Sequence, residues 1–281
     1  MAQHLGDEVE RLLSEDATAG DLTTEGLGLA GRRGRIRFAA RGAFTLAGVE
    51  VAAAMLERCG AAVALAARSG DAVAEGDDIL TGEGDAADLH LGWKTSQTLI
   101  EVLSGIATAA RTIVAAVESV DPNVRVACTR KTFPGGRQLS QMAIKAGGAI
   151  LHRAGLSETI LVFGEHLAFL DGQSLADVAT RLRRQAPEKK LAIEAASVEG
   201  AKSAIEAGFD VIQLEKFAVE RAAEVAAFAR AHSPRALIAA SGGVNASNAA
   251  AYVRAGAGLI VTSAPYSAPP RDVQVTVTPV L

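Results

Sequence analysis

The chain has 281 residues, a formal net charge of −4 and a pI near 5.8, with aromatics at only 4%. That balance excludes a nucleic-acid binder built on a broad basic face. The two cysteines, Cys59 and Cys128, are too few for a disulfide framework and too far apart for a metal motif. No apolar run reaches bilayer length, and the N-terminus lacks a basic segment leading into an apolar one. Neither a membrane span nor a signal peptide is expected, and a reducing cytoplasm is the natural compartment.

Residues 35–40 alternate in the manner of a strand. Val49 to Arg58 has helical character and stops at Gly60, a C-terminal glycine cap. The glycines around residues 70–80 punctuate short apolar steps, which suggests small, tightly turned strands. A long helix is expected from about Trp93 to Val120, interrupted at Ser104-Gly105 and closed by Pro122. The pattern then becomes regular. Short apolar runs at Val124–Thr129, Thr159–Val162, Leu191–Ala195, Val211–Leu214, Leu237–Ala240 and Leu259–Thr262 read as strands. Alanine-rich segments at Gln138–Ala146, Ser174–Gln185, Val198–Ala207, Val219–Ala231 and Ala246–Ala255 read as helices between them. Such alternation predicts a parallel sheet covered by helices, closed into a barrel, with an open doubly wound sheet as the alternative. In a barrel the chemistry belongs at the C-terminal ends of the strands.

Residues 122–157 contain no Asp or Glu, yet carry Arg125, Arg130, Lys131, Arg137, Lys145 and Arg153, with His152 beside the last. Glycines punctuate the stretch at Gly135-Gly136 and Gly147-Gly148. Glycine lets backbone approach a ligand, and Arg and Lys supply charge-assisted hydrogen bonds, so the stretch suits a pocket for a small, densely anionic metabolite. Glu194, Glu215, Ser241-Gly242-Gly243 and Ser263 fall at other predicted strand ends. Taken alone, Ser-Gly-Gly is a turn and a strand-end carboxylate is a solvated one. Cys128, inside an apolar strand, reads as core.

Several motifs occur in a fixed order: Gly20-Asp21-Leu22-Thr23-Thr24, Leu103-Ser104-Gly105-Ile106-Ala107-Thr108, Thr129-Arg130-Lys131-Thr132 with Pro134-Gly135, Gly147-Gly148 with His152-Arg153, and Ser241-Gly242-Gly243. In this order they resemble quinolinate phosphoribosyltransferase over nearly the whole chain. Thr129 to Gly135 and His152 to Phe163 are most similar to the ModD branch of that family, whose members are associated with molybdenum-transport operons. The resemblance implies an α/β fold with a small N-terminal α/β sandwich at residues 1–110, joined by a C-terminal strand at 272–281. A seven-stranded α/β barrel would occupy residues 111–271. It also implies a homodimer with the active site at the interface, and Mg²⁺ with phosphoribosyl pyrophosphate as co-substrate. A small aromatic acid would be the acceptor, with no nucleic acid or membrane partner.

The resemblance also implies roles. Lys131, Glu194 and Glu215 would be catalytic, with Glu194 and Glu215 also facing Mg²⁺. Arg130, His152, Arg153 and Phe163 would bind the acceptor, with Arg111 entering from the second subunit. Ser241, Gly242, Gly243, Ser263 and Tyr266 would surround a phosphate. The chain departs from the family pattern at three places: Phe163 replaces a lysine, Leu214-Glu215-Lys216 replaces Leu-Asp-Asn, and Tyr266 replaces a histidine. Loss of the lysine implies weaker quinolinate binding, or an acceptor with one carboxylate fewer. An alternative reading is an accessory protein that binds molybdate or a cofactor precursor on the same scaffold.

Overall fold

A computed structural model describes residues 2–280, so Met1 and Leu281, the outermost residues of the expected first domain and of the expected C-terminal strand, lie outside the described residues. The elements in chain order begin with α1 (Ala2–Asp16), α2 (Leu22–Gly26), β1 (Arg33–Ala40), β2 (Phe44–Thr45) and α3 (Val49–Arg58). Then come β3 (Ala62–Leu65), β4 (Ala72–Val73), β5 (Asp78–Asp85) and α4 (Ala86–Glu118). β6 (Arg125–Cys128), α5 (Arg137–Ala146), β7 (Ile150–Leu151), β8 (Ile160–Val162), α6 (Gly164–Leu167) and α7 (Leu175–Gln185) follow. The chain continues through β9 (Leu191–Ala195), α8 (Val198–Glu206), β10 (Val211–Glu215), α9 (Val219–His232), β11 (Leu237–Ser241) and α10 (Ala249–Arg254). It ends with β12 (Leu259–Thr262), a 3-10 turn at Ala264–Ser267 and β13 (Val273–Pro279).

The chain divides into two compact units. The first comprises the residues up to Thr108, Gln138–Gly148, and those from Ala268 onward. Its four-stranded antiparallel sheet has the order β13-β1-β5-β3. On β1, Ile36, Phe38 and Ala40 alternate inward and pack with Leu46, Leu56, Leu80 and Ile100 in a core from which solvent is excluded. Helix α4 begins at Ala86 rather than near Trp93, because the Asp85 carboxylate accepts the Ala87 N–H (2.9 Å) and caps it. Nor does Ser104-Gly105 interrupt it. The Ser104 hydroxyl accepts the Ala47 N–H (3.0 Å), and a Cβ at position 105 would collide with the Pro269 carbonyl, so the pair is a site of close backbone approach within a continuous helix. By length and composition α4 could cross a bilayer, its most apolar window having a mean hydropathy of 1.6, but 56% of that window is buried inside the protein, as in a core helix.

The second unit comprises Ala109–Arg137 and Ala149–Ser267. Its parallel strands form one seven-stranded sheet in the order β7-β6-β12-β11-β10-β9-β8. The sheet curls as a barrel whose two edge strands, β7 and β8, share no ladder among the described residues. Small residues fill the closed part: Ala127, Ala239 and Val261 are buried, with Val211 and Leu259 against them. Two strands run one residue further than the apolar runs suggest, so that Glu215 and Ser241 are register partners in the ladder rather than loop residues.

Candidate active site

At the C-terminal ends of the second unit's strands lies a cleft of about 760 Å³. Register builds its floor. Gln213 sits opposite Glu194, and its side-chain amide donates to the Glu194 carboxylate at 2.9 Å. Ser241 sits opposite Glu215, and its hydroxyl lies 2.9 Å from that carboxylate and 3.1 Å from the Leu214 carbonyl. Gln213 and Glu215 are two residues apart on β10, so both face the barrel interior with Val211.

Arg130 and Lys131 follow β6, and His152 and Arg153 follow β7; all four line the cleft. Among the described residues, Arg130, Lys131 and Arg153 form no salt bridge. Arg153 is only 8% exposed, and its guanidinium carbon stands 5.7 Å from the centroid of the Phe163 ring. Burial, and then the neighbouring Arg130 charge, lower the Arg153 pKa. Burial, and then Arg153, lower the His152 pKa below the ordinary imidazole value of 6.5, favouring the neutral ring. Glu194 moves the opposite way. Burial first and the Glu215 charge second raise it above the usual carboxylate value, although the Gln213 hydrogen bond pulls it down. An anion therefore finds unsatisfied cations on one wall, and a cation finds two mutually repelling carboxylates on another.

The loop after β11 supplies a third wall. Gly242 and Gly243 both have φ of +79°, and their N–H groups make no hydrogen bond among the described residues. A Cβ on Gly242 would lie 2.6–2.8 Å from Lys216 and Glu215 atoms, so only glycine fits. Lys216 itself holds a left-handed backbone, φ +56°, with its N–H donated to the Ser241 carbonyl at 2.9 Å. Asn248 fixes the loop through its side-chain amide, donated to the Gly243 carbonyl at 3.1 Å, and its oxygen, which accepts the Asn245 N–H at 2.8 Å. Free backbone N–H groups in a glycine turn are a phosphate cradle.

Of the residues expected at the site, Lys131, Glu194, Glu215, Arg130, His152, Arg153, Phe163, Ser241, Gly242, Gly243 and Ser263 line this one cleft. Two do not. Tyr266 donates its hydroxyl to the Thr129 carbonyl (2.7 Å), and burial raises its pKa, so it acts as a strut behind the β6 loop. Arg111, on α4, is paired with Glu118 at 2.5 Å and is absent from the lining. Sequence reasoning missed Gln213 and Glu165, both of which line the cleft. The signal for Gln213 was its two-residue spacing from Glu215 within an otherwise apolar strand.

The N-terminal domain of quinolinate phosphoribosyl transferase matches residues 21–104, and its C-terminal domain matches residues 106–276. The ModD protein of Rhodobacter capsulatus is 46% identical over 245 residues, which is 87% of this chain and 94% of that protein. The nicotinate-nucleotide pyrophosphorylase (carboxylating) of Mycobacterium leprae is 30% identical over 263 residues, 92% of this chain and 91% of that one. Among solved structures, NadC from Streptococcus pyogenes superposes with a TM-score of 0.90 at 23% identity, covering 100% of this chain and 98% of that one, a likeness of fold. With both domain matches in order and relatives aligned over most of its length, the chain belongs to the quinolinate phosphoribosyl transferase family.

Proposed function

We propose that the protein transfers the phosphoribosyl group of phosphoribosyl pyrophosphate to the ring nitrogen of quinolinate or a related heteroaromatic acid. The bond from ribose C1 to the diphosphate oxygen breaks, a bond from C1 to the ring nitrogen forms, and pyrophosphate leaves. The observation that carries this reading is the meeting, in one cleft, of cations without ion-pair partners, two carboxylates and a glycine turn with free N–H groups.

Each group has a task. Gly242 and Gly243 offer backbone N–H groups to the 5′-phosphate. Arg130 and Lys131 take up charge that gathers on the departing diphosphate. The Glu194 and Glu215 carboxylates face the ribose, where positive charge develops at C1. His152 and Arg153 hold the acceptor carboxylate and so fix the ring nitrogen for attack. In this reading Arg111 reaches the acceptor from a second copy of the chain.

Among the described residues, no three His, Cys, Asp or Glu side chains converge as a metal-binding group. Glu194 and Glu215 would be the residues to hold a Mg²⁺ ion, which with only two carboxylates would keep most of its waters. Bound there, such an ion would neutralise charge on the leaving group.

The test is pyrophosphate release from phosphoribosyl pyrophosphate and Mg²⁺ with a panel of aromatic acids. Release with quinolinate or a relative is expected; silence with every acid would sink the reading.

A further inference from the structure

A second cavity, of about 500 Å³, adjoins the cleft at the barrel's open seam. Because β8 is an edge strand with no neighbour on one side among the described residues, both of its faces reach this space: Leu161 from one, Ile160 and Val162 from the other. Leu170, Val178 and Leu182 supply an apolar wall. Arg130, Arg153, Leu161 and Phe163 line both the cavity and the cleft. The cleft contains carboxylates, but among the described residues no Asp or Glu lines the cavity.

The chemistry of this lining is specific. Arg153 stands at the junction, buried and without an ion-pair partner among the described residues, so a carboxylate is its natural complement. Phe163 is held beside it: its N–H donates to His166 Nδ1 at 2.9 Å, and the two rings stack at 5.7 Å. Beyond Phe163 the walls are mostly hydrocarbon, with Thr159, His166 and Arg181 among them. Arg181, on α7, is exposed and donates one of its N–H groups to the Gln173 side-chain oxygen. A ligand that turned a second carboxylate toward Leu170, Val178 and Leu182 would have to strip water from it there without a charged partner on that wall. A volume of 500 Å³ is within the range that takes a small organic ligand.

We propose that this cavity seats the apolar body of the acceptor, which is an aromatic monocarboxylic acid larger than one ring. Its carboxylate lies at Arg153, and its hydrocarbon part passes through the seam against Leu170, Val178 and Leu182. The word acceptor rests on the phosphoribosyl-transfer reading above, but the binding preference is measurable without turnover.

The experiment is calorimetric titration of the full-length protein with quinaldate (two fused rings, one carboxylate), picolinate (one ring, one carboxylate) and quinolinate (one ring, two carboxylates). Quinaldate is expected to bind at least about tenfold tighter than the other two, the gain of burying a second ring. Leu170→Trp, at a half-buried position of the cavity wall, should abolish that preference while leaving quinolinate affinity within about twofold. Leu182→Trp repeats the test should the first variant fold poorly. Equal or tighter binding of quinolinate by the unaltered protein overturns the proposal, as does a preference that survives both substitutions. If Leu170→Trp changes the sedimentation coefficient and not the preference, the groove is a contact between copies and the proposal falls. Pyrophosphate release, measured in parallel, separates the two readings. Release with quinolinate but no quinaldate preference sinks the cavity alone; the preference without release from any acid sinks the transfer reaction alone.

Discussion

The Gln213 side-chain amide donates to the Glu194 carboxylate across adjacent strands at 2.9 Å, while its own oxygen is buried with no partner among the described residues. In the proposed reaction Gln213 would be a positioning residue, acting through Glu194. Gln213→Leu removes the larger of the two influences that lower the Glu194 pKa, the other being the Lys131 charge, so the carboxylate becomes harder to ionise. Losing a hydrogen bond to a charged group costs about 1.5–3 kcal/mol, so kcat/KM should fall on the order of 10–100-fold. The acid limb of the pH–rate profile should move to higher pH, a shift that a purely structural role would not produce. Stability should hold or rise, because the substitution also removes the orphaned oxygen.

Glu194 makes the free protein less stable as it ionises. Its native pKa lies above the unfolded value, so on raising the pH the unfolded chain loses this proton first. Its contribution to stability is present below the unfolded pKa and is lost as pH rises through the native pKa. Glu194→Gln should accordingly raise Tm at neutral pH while lowering kcat/KM by about 100-fold or more. Thermal melts at several pH values check the sign: the gain over the unaltered protein should vanish in acid.

His152 is held neutral by burial and by Arg153. The unfolded chain therefore binds this proton at a higher pH than the native one, and stability is lost as pH falls below about 6.5. A bound carboxylate at Arg153 offsets that repulsion and raises the His152 pKa. Binding of an aromatic acid near pH 6 should take up protons, seen as a calorimetric heat that depends on buffer ionisation enthalpy. Uptake should disappear in His152→Asn, and its persistence there would assign the proton to another group.

Two neighbouring positions share a left-handed backbone and should answer substitution in opposite directions. Gly242→Ala forces a Cβ against Lys216 and Glu215 at φ +79°, and should cost about 1–3 kcal/mol and most of the activity. Lys216→Asn places a residue tolerant of the left-handed region at φ +56°, and should gain up to about 1 kcal/mol. Urea denaturation of both variants, read at unchanged slope, measures the difference.

Much of the barrel was legible because its strands are short apolar runs punctuated by Ala-Gly helix ends. Leu191–Ala195 and Leu259–Thr262 are strands over those residues. β7 was not legible, since two residues beside Gly147-Gly148 have no period to detect. α1 was missed for lack of a cap or an apolar run of the expected kind, and the start of α4 was missed because its cap, Asp85, also ends a strand. At the site, charge and glycine content marked Arg130, Lys131, Arg153 and Gly242. Gln213 lay hidden in a run read as apolar. The ion pair of Arg111 with Glu118 and the Tyr266 strut depend on side-chain geometry that spacing does not encode.

The shortness of the seam strands has a further effect on the protein's behaviour in concentrated solution. An unpaired sheet margin invites a foreign strand to add on, and the risk grows with its length and flatness. Here the margins are only Ile150–Leu151 and Ile160–Val162, the first running straight into His152-Arg153. Too few consecutive backbone groups are on offer to template a fibril, so the barrel keeps an opening beside its chemistry without becoming sticky.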